Sequence, residues 1–524
     1  MDSAPAEIGW NGLGPVGGDP HEPAAAWKII LRAVFLILLG TVVAIQRPAA
    51  APPDATAKAA AGLSETMGPS IEVSLFSKIY FCMKPFAGMD PSFSGSMQSN
   101  IDALGGFESE GDPATTLGPP VKPQPAHVRI QAAILAAETL GTDAALRRVA
   151  MVEDALDPES PLVGDIALLR RIYGGEPAAD VGASLSDADR EAFIERHGMF
   201  GRLALTFGDE QAPVRTDAAS RGMILLLVMM LFGGAAMLAG CVGFALLIYF
   251  GVQLGMGKLR RRFVAPTTLA AGDVGPTSWG WSMDPQGRLI WLETVAVFLL
   301  GFLVLGLSGD VLSGAFPGQA WVAYYSLLGQ WALLLTLFWP VARGMPWSRW
   351  RSELGWHRGT GVANELGAGL MCYLASLPIY FATAFVVAIA IFIASRYGWE
   401  LAPAPADNKL LDLAMSGNPL LIMLIFLLAT LWAPIVEESI FRGALYRHTR
   451  WRSGPLVAGL LTAFVFAIMH GYAVIQLLMV GLLGVVFAIM REWRGSLIGP
   501  MIAHFTHNAI VLTFVILLFG QLGR

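Results

Sequence analysis

From residue 222 onward, long runs in which nearly every position is apolar alternate with short polar turns rich in arginine. Runs of about 17–25 apolar residues are long enough to cross a bilayer as helices. On that basis spans are predicted at 222–251, 289–308, 321–342, 366–394, 419–436, 454–471, 474–490 and 496–519. A further run, 29–46, opens with Lys28 and Arg32 and ends in Arg47-Pro48. It reads as a retained first span in preference to a cleaved signal, because the polar tail before it is longer than a usual signal n-region. Between it and residue 222 the pattern changes to polar. Gly, Pro and Ser dominate to about Pro125, which predicts irregular chain. From His127 apolar residues fall at helical spacing (Ile130, Ile134, Ala137, Leu140), and after Gly141-Thr142-Asp143 the pattern resumes, predicting a helical hairpin.

The expected fold class is therefore all-α: a polytopic helical membrane protein of eight or nine transmembrane helices with one extramembrane, mainly helical and irregular domain. Its expected parts are a disordered cytoplasmic tail (1–26), a first transmembrane helix or signal (27–46), an acidic domain (47–221), transmembrane helices with a cytoplasmic loop (222–318) and a C-terminal core (319–524). Composition agrees, with 55% apolar and 14% charged residues in 524. Charge changes the picture once it is divided. The block 47–221 holds 15 Lys and Arg against 24 Asp and Glu, and so carries −9 of a chain whose net charge is −5. Basic residues outside it gather at 258–262, at Arg343, Arg349, Arg351 and Arg358, at Arg442, Arg447, Arg450 and Arg452, and at Arg491 and Arg494. Each pair of clusters is separated by crossings that return the chain to one side, which by the positive-inside rule is cytoplasmic. The acidic block is then extracytoplasmic, and the plasma (inner) membrane is the expected location. Cys82, Cys241 and Cys372 are too dispersed for a disulfide framework or a thiolate metal site.

Candidate chemistry lies in the last spans. Glu437-Glu438-Ser439-Ile440-Phe441-Arg442 places three ionisable groups at the end of an apolar run, and ionisable residues at membrane depth mark function by default. Glu438 and Arg442 stand four apart with the acid first, the favoured order for a helical ion pair. Glu437, about 100° around the helix, is left as the less compensated carboxylate and the candidate general base. Phe466 and His470 share a face of the next span, and His504 and Asn508 share a face of the last. Singly, each histidine also suits interhelical packing, and Asn508 suits an interhelical hydrogen bond.

The order Glu-Glu-x-x-x-Arg, Phe-x-x-x-His, His-x-x-x-Asn resembles the CPBP family of intramembrane proteases, which includes the eukaryotic CAAX prenyl endopeptidase and bacterial proteins linked to bacteriocin processing and self-immunity. The resemblance covers roughly 320–519, and Leu354-Gly355-Trp356 is similar to the family's segment before its core. It implies that Glu437 is the catalytic glutamate, that His470 helps it activate water, and that His504 and Asn508 stabilise the oxyanion. Glu438 and Arg442, with Phe466, fall in supporting roles. It implies no cofactor; the alternative is Zn2+ held by Glu437, His470 and His504 with one open position, although His-Glu-x-x-His is absent. The expected activity is intramembrane endopeptidase cleavage of a membrane-anchored or lipidated protein or peptide. The expected surroundings are lipid bilayer, with no nucleic-acid partner. A proton-coupled transporter, using the same buried groups as a relay, and a non-catalytic membrane scaffold or immunity protein are the alternatives. His507 lies outside the motif, about 60° from His504.

Overall fold

The computed structural model describes residues 33, 34, 36–38, 40, 70–85, 93–107, 124–259, 288–317, 319–397, 399, 418–470 and 474–522. The expected tail 1–26, most of the first span and Arg260 to Arg262 lie outside these. The described residues are all helix and connection, with no strand among them. The chain divides into two compact units, one of 49–233 with 392–399 and 514–524, the other of 1–48, 234–391 and 400–513.

The first unit is built on α1 (Ile71–Met83), α2 (Phe93–Gly105), α3 (Ala126–Leu140), α4 (Thr142–Glu153), α5 (Leu162–Tyr173), α6 (Ala178–Ala183), α7 (Asp187–His197), α8 (Met199–Leu205) and the start of α9 (Pro213–Gly255). Its first half is thus not irregular throughout: α1 and α2 are helices within the stretch whose average Gly and Pro content predicted none. Ser70 caps α1, its hydroxyl accepting from the Val73 amide at 3.5 Å while its own amide donates to Gln131 Oε1 at 2.8 Å. The helix opened by His127 is the hub. Ile130, Ala132, Ala133, Ile134, Leu135 and Ala136 are all fully buried, so α3 is enclosed on every side rather than amphipathic. Its small side chains let neighbouring helices approach closely, and Gly141 at φ +92° ends it.

Buried ion pairs cross-link this unit. Arg148 Nη2 meets Asp102 Oδ1 at 2.6 Å, and Arg215 donates to the Glu138 carboxylate from both Nε (3.1 Å) and Nη2. Asp165 receives Arg196 Nη2 at 2.6 Å and His197 Nε2 at 2.9 Å. Burial alone raises the Asp165 carboxyl, but the hydrogen bonds from His197 and Arg196 outweigh it and hold the group below its ordinary 3.8. A carboxyl depressed by folding stabilises above its unfolded pKa, and that contribution is lost as pH falls through the folded value. The stability difference between the wild-type chain and Asp165→Asn should therefore be full at pH 7 and shrink below about pH 4. Hydrogen exchange of the α5 amides in the full chain measures it; a difference that persists unchanged to pH 3 contradicts the assignment.

Among the described residues six helices are long and apolar enough to cross a membrane, as in a multi-pass membrane protein: α9, Leu289–Ala315 within α10 (Arg288–Ala315), α11 (Ala320–Ala342), Val362–Ala394 within α13 (Val362–Arg396), Pro419–Arg450 within α14 (419–452), and Ile498–Leu518 within α17 (Ile498–Leu522). The short α12 (Trp347–Leu354) lies between α11 and α13. Two predicted spans differ. α15 (Pro455–Ile468) has 14 residues, roughly 21 Å of helix against the ~30 Å hydrocarbon core. α16 (Val474–Arg494) ends in Arg491, Glu492 and Arg494, which are buried in the protein. These two helices pack on one another closely enough that a Cβ at Gly484 would stand 2.9 Å from Ala463 Cα. α14 is the most enclosed of the long spans, with 44% of its most apolar window buried against 6–22% in the other five.

Carboxylates pair with the arginines of the basic clusters, and Glu353 joins two of these clusters. Glu353 takes Arg349 Nε at 2.9 Å, Arg447 Nε at 3.2 Å and the Trp291 indole at 3.0 Å. Glu293 takes Arg343 at 3.1 Å, Glu492 takes Arg450 at 3.2 Å and Glu365 takes Arg494 at 2.7 Å. Arg442 does not belong with them: it is fully buried within α14.

Candidate active site

Two departures from α-geometry shape α14. Asn418 caps it, its side-chain oxygen accepting from the Leu420 and Leu421 amides, with Pro419 in the first turn. At Leu428–Trp432 the helix widens to a π-turn, the Ala433 amide donating to the Leu428 carbonyl five residues back. In that register the next carbonyl, Ala429, would take its hydrogen from residue 434, which is proline and has none. Asn508 supplies it instead, Nδ2 donating to Ala429 O at 2.8 Å. A second π-segment, Glu438–Leu445, ends with the Tyr446 amide on the Phe441 carbonyl. The following carbonyl, Arg442, is met from outside by Arg491 Nε at 3.1 Å. Arg491 also donates to the carbonyls of Glu353 (3.2 Å), Leu354 (3.1 Å) and Gly495. Its guanidinium occupies the space beside Gly355, where φ is +98° and a Cβ would come within 2.4 Å of Nη1. Such π-turns recur at functional sites because they re-aim side chains and release carbonyls to outside partners.

On the widened turn Glu438 and Arg442 meet as predicted, Nη1 to Oε1 at 3.2 Å, both side chains fully buried. Arg442 Nη2 donates to Gly484 O at 3.2 Å, and its guanidinium lies 4.2 Å from the centre of the Phe466 ring and 5.2 Å from that of Phe487. Aromatic faces are good partners for a desolvated guanidinium. His504 Nδ1 approaches the same Glu438 Oε1 at 2.9 Å, its ring stacked on Phe487 at 5.3 Å. Phe466 presents an edge contact to His504 at 6.0 Å and to His470 at 4.8 Å, standing between the two imidazoles.

Glu437 and Glu438 each keep one buried oxygen, Oε2, without a hydrogen bond; that of Glu437 lies 3.9 Å from His504 Nε2. Glu438 Oε1, by contrast, already serves an arginine and a histidine. An ionised carboxylate only accepts, so the proton on the Glu438 side of His504 is on Nδ1. His470 Nδ1 lies 2.8 Å from the Phe466 carbonyl, which likewise assigns its proton to Nδ1 and leaves the lone pair of the neutral ring on Nε2. Trp356 donates from Nε1 to Ser439 Oγ at 2.9 Å, tying the Leu354-Gly355-Trp356 segment to the acidic turn.

Of the predicted residues, Glu437, Glu438, Arg442, Phe466 and His504 form one contact network, with His470 joined to it through Phe466. Asn508 turns its amide to Ala429. Among the described residues no three His, Cys, Asp or Glu side chains are arranged to hold a metal ion. Of the donors considered for Zn2+, Glu437 and His504 approach each other, at 3.9 Å. His507 points elsewhere, Nδ1 lying 3.5 Å from the Tyr373 hydroxyl and its ring between Tyr373 and Tyr380. Sequence reasoning missed Pro434, Gly484, Phe487 and Arg491. A proline inside an apolar span was a legible signal for a released carbonyl; Arg491 was counted only as a topogenic charge.

The Ala429–Asn508 bond makes a separable prediction. Asn508→Leu should cost about 1 kcal/mol, the lower end for an orphaned acceptor, because the carbonyl is partly buried. Adding Pro434→Ala, which restores an amide hydrogen to that carbonyl, should recover most of the loss in thermal unfolding. A double variant no more stable than the single one contradicts the account of this turn.

Residues 419–510 match the family model described as "Type II CAAX prenyl endopeptidase Rce1-like". No curated protein and no solved structure gives a significant match. The matched segment contains every predicted site residue from Glu437 to Asn508.

Proposed function

With residues 419–510 forming an Rce1-like type II CAAX prenyl endopeptidase domain, we propose that the chain hydrolyses a peptide bond of a membrane-anchored or lipidated protein, using a water activated by Glu437. The observation that carries this reading is the Glu437 carboxylate oxygen, buried and without a hydrogen bond beside an imidazole anchored to a second carboxylate. That oxygen can accept a proton in the reaction; Glu438 Oε2 also lacks a hydrogen bond, but the other oxygen of Glu438 is committed to Arg442 and His504. A water hydrogen-bonded to Glu437 Oε2 gives that oxygen its proton, with the His470 lone pair assisting. The resulting hydroxide attacks the scissile carbonyl carbon, and the carbonyl π electrons move to oxygen. His504, held by Glu438 through Nδ1, takes the oxyanion role when its Nε2 also carries a hydrogen. The second hydrogen of the Asn508 amide is available for the same task. The carbon–nitrogen bond then breaks, and the proton held by Glu437 passes to the leaving amine.

Arg442 fixes Glu438, Glu438 fixes His504, and the rings of Phe466 and Phe487 exclude bulk water from all three. Such shielding strengthens each electrostatic contact and suits a substrate that reaches the site from the lipid phase. The same reading has the site opening toward the cytoplasmic side of the plasma membrane, with the acidic block outside. The test compares peptide termini in membranes of null cells complemented with wild type or with Glu437→Gln. New termini confined to wild type support proteolysis. Identical termini, with both proteins rescuing the null phenotype, would move the assignment to a scaffold.

A further inference from the structure

The helical unit outside the catalytic core contains a cavity of about 570 Å³, within the usual range of small-molecule sites. Its lining includes the apolar Ile194 and Met199, the hydroxyl-bearing Thr206 and the charged Lys78, Arg190, Arg202 and Asp217. Cations thus exceed anions by two. Lys78 is only 3% exposed although it lines the cavity. Burial, with the nearby Arg221 and against the opposing pull of Asp217, lowers its ammonium to about 8. Arg190 is engaged with Gly182 O at 2.6 Å and lies 3.6 Å from Asp187; Asp217 is paired with Arg221 at 2.8 Å.

The cavity's position along α9 decides what it suits. Val214, Asp217 and Ala218 line it, and the uninterrupted apolar run of the same helix begins at Gly222. Five residues of helix separate Asp217 from that point, about 7.5 Å. The polar zone on each side of a bilayer is about 5–8 Å thick. Lys78 is held at the same level independently: α1 crosses α9 so closely that a Cβ at Gly222 would stand 2.0 Å from the Lys78 carbonyl oxygen. Taking Gly222 as the edge of the hydrocarbon core places this partly apolar, cationic recess at headgroup depth.

We propose that this cavity binds the phosphate-bearing headgroup of an anionic phospholipid, the phosphate meeting Lys78 and Arg202 and the first part of the acyl chains covering Ile194 and Met199. Basic pockets beside membrane helices recognise phosphate headgroups by this combination of charge and depth. The inference concerns the non-catalytic unit and stands or falls apart from the peptidase reading.

The experiment uses the full-length chain in detergent, with phosphatidylglycerol, phosphatidylcholine or inorganic phosphate added, and reads retained lipid by native mass spectrometry and the shift in thermal unfolding. Phosphatidylglycerol should be retained in preference to phosphatidylcholine, and Arg202→Gln should weaken it about fivefold. Arg202 is exposed, so this variant leaves the core intact; Lys78→Met should give at least as large a loss. Equal retention of the two lipids, or phosphatidylglycerol binding unchanged in Arg202→Gln, overturns the proposal. Stabilisation by inorganic phosphate that depends on the same residues, without preferential lipid retention, assigns the cavity to a soluble phosphate and overturns the lipid.

Discussion

Arg442→Met is expected to destabilise the membrane core by about 3–5 kcal/mol, the range for breaking one half of a buried ion pair. Arg442 and Glu438 are both fully buried. Removing the guanidinium leaves the carboxylate with His504 alone, takes the donor from Gly484 O and empties the space between Phe466 and Phe487. Arg442→Lys should recover little, because a point charge cannot reach the Glu438 carboxylate and the Gly484 carbonyl together. Glu438→Gln with Arg442→Met should cost less than Arg442→Met alone, since no uncompensated charge remains. Thermal unfolding of the detergent-solubilised variants decides; Arg442→Met unfolding with wild type would refute the pair's structural role.

Glu437→Gln has the opposite profile. Its carboxylate oxygen makes no hydrogen bond, so an amide there should leave thermal stability unchanged or slightly raised, while the rate of cleavage falls by about 10²–10⁴. The loss should lie in kcat rather than KM, because the carboxylate acts on water and not on ground-state substrate. Rates of substrate cleavage in bilayers by the folded variant test this. A Glu437→Gln protein that cleaves at the wild-type rate, while Glu438→Gln is inactive, would exchange the roles of the two carboxylates.

The spans were legible because lipid demands unbroken apolar runs, and those predicted at 222–251, 289–308, 321–342 and 366–394 fall on long helices. The Glu438–Arg442 pair was legible from spacing, since four residues share a face in either an α- or a π-turn. The π-turns themselves were not read. They depend on where Pro434 removes an amide and on which outside groups, Asn508 and Arg491, take the released carbonyls. The first is written in the sequence; the second needs the fold. Composition misjudged α1 and α2, whose apolar turns were averaged with Gly- and Pro-rich neighbours. The helix opened by His127 was legible from the spacing of Ile130, Ile134, Ala137 and Leu140, but not that its remaining positions are buried too, making it the hub.

The most direct measurement is cleavage of one identified membrane substrate by purified wild type and Glu437→Gln in water enriched in oxygen-18, with mass spectrometry of the new C-terminus. The expected result is a terminus carrying one labelled oxygen with wild type and no terminus with Glu437→Gln. The same labelled terminus formed at equal rate by both proteins would contradict a water activated by Glu437.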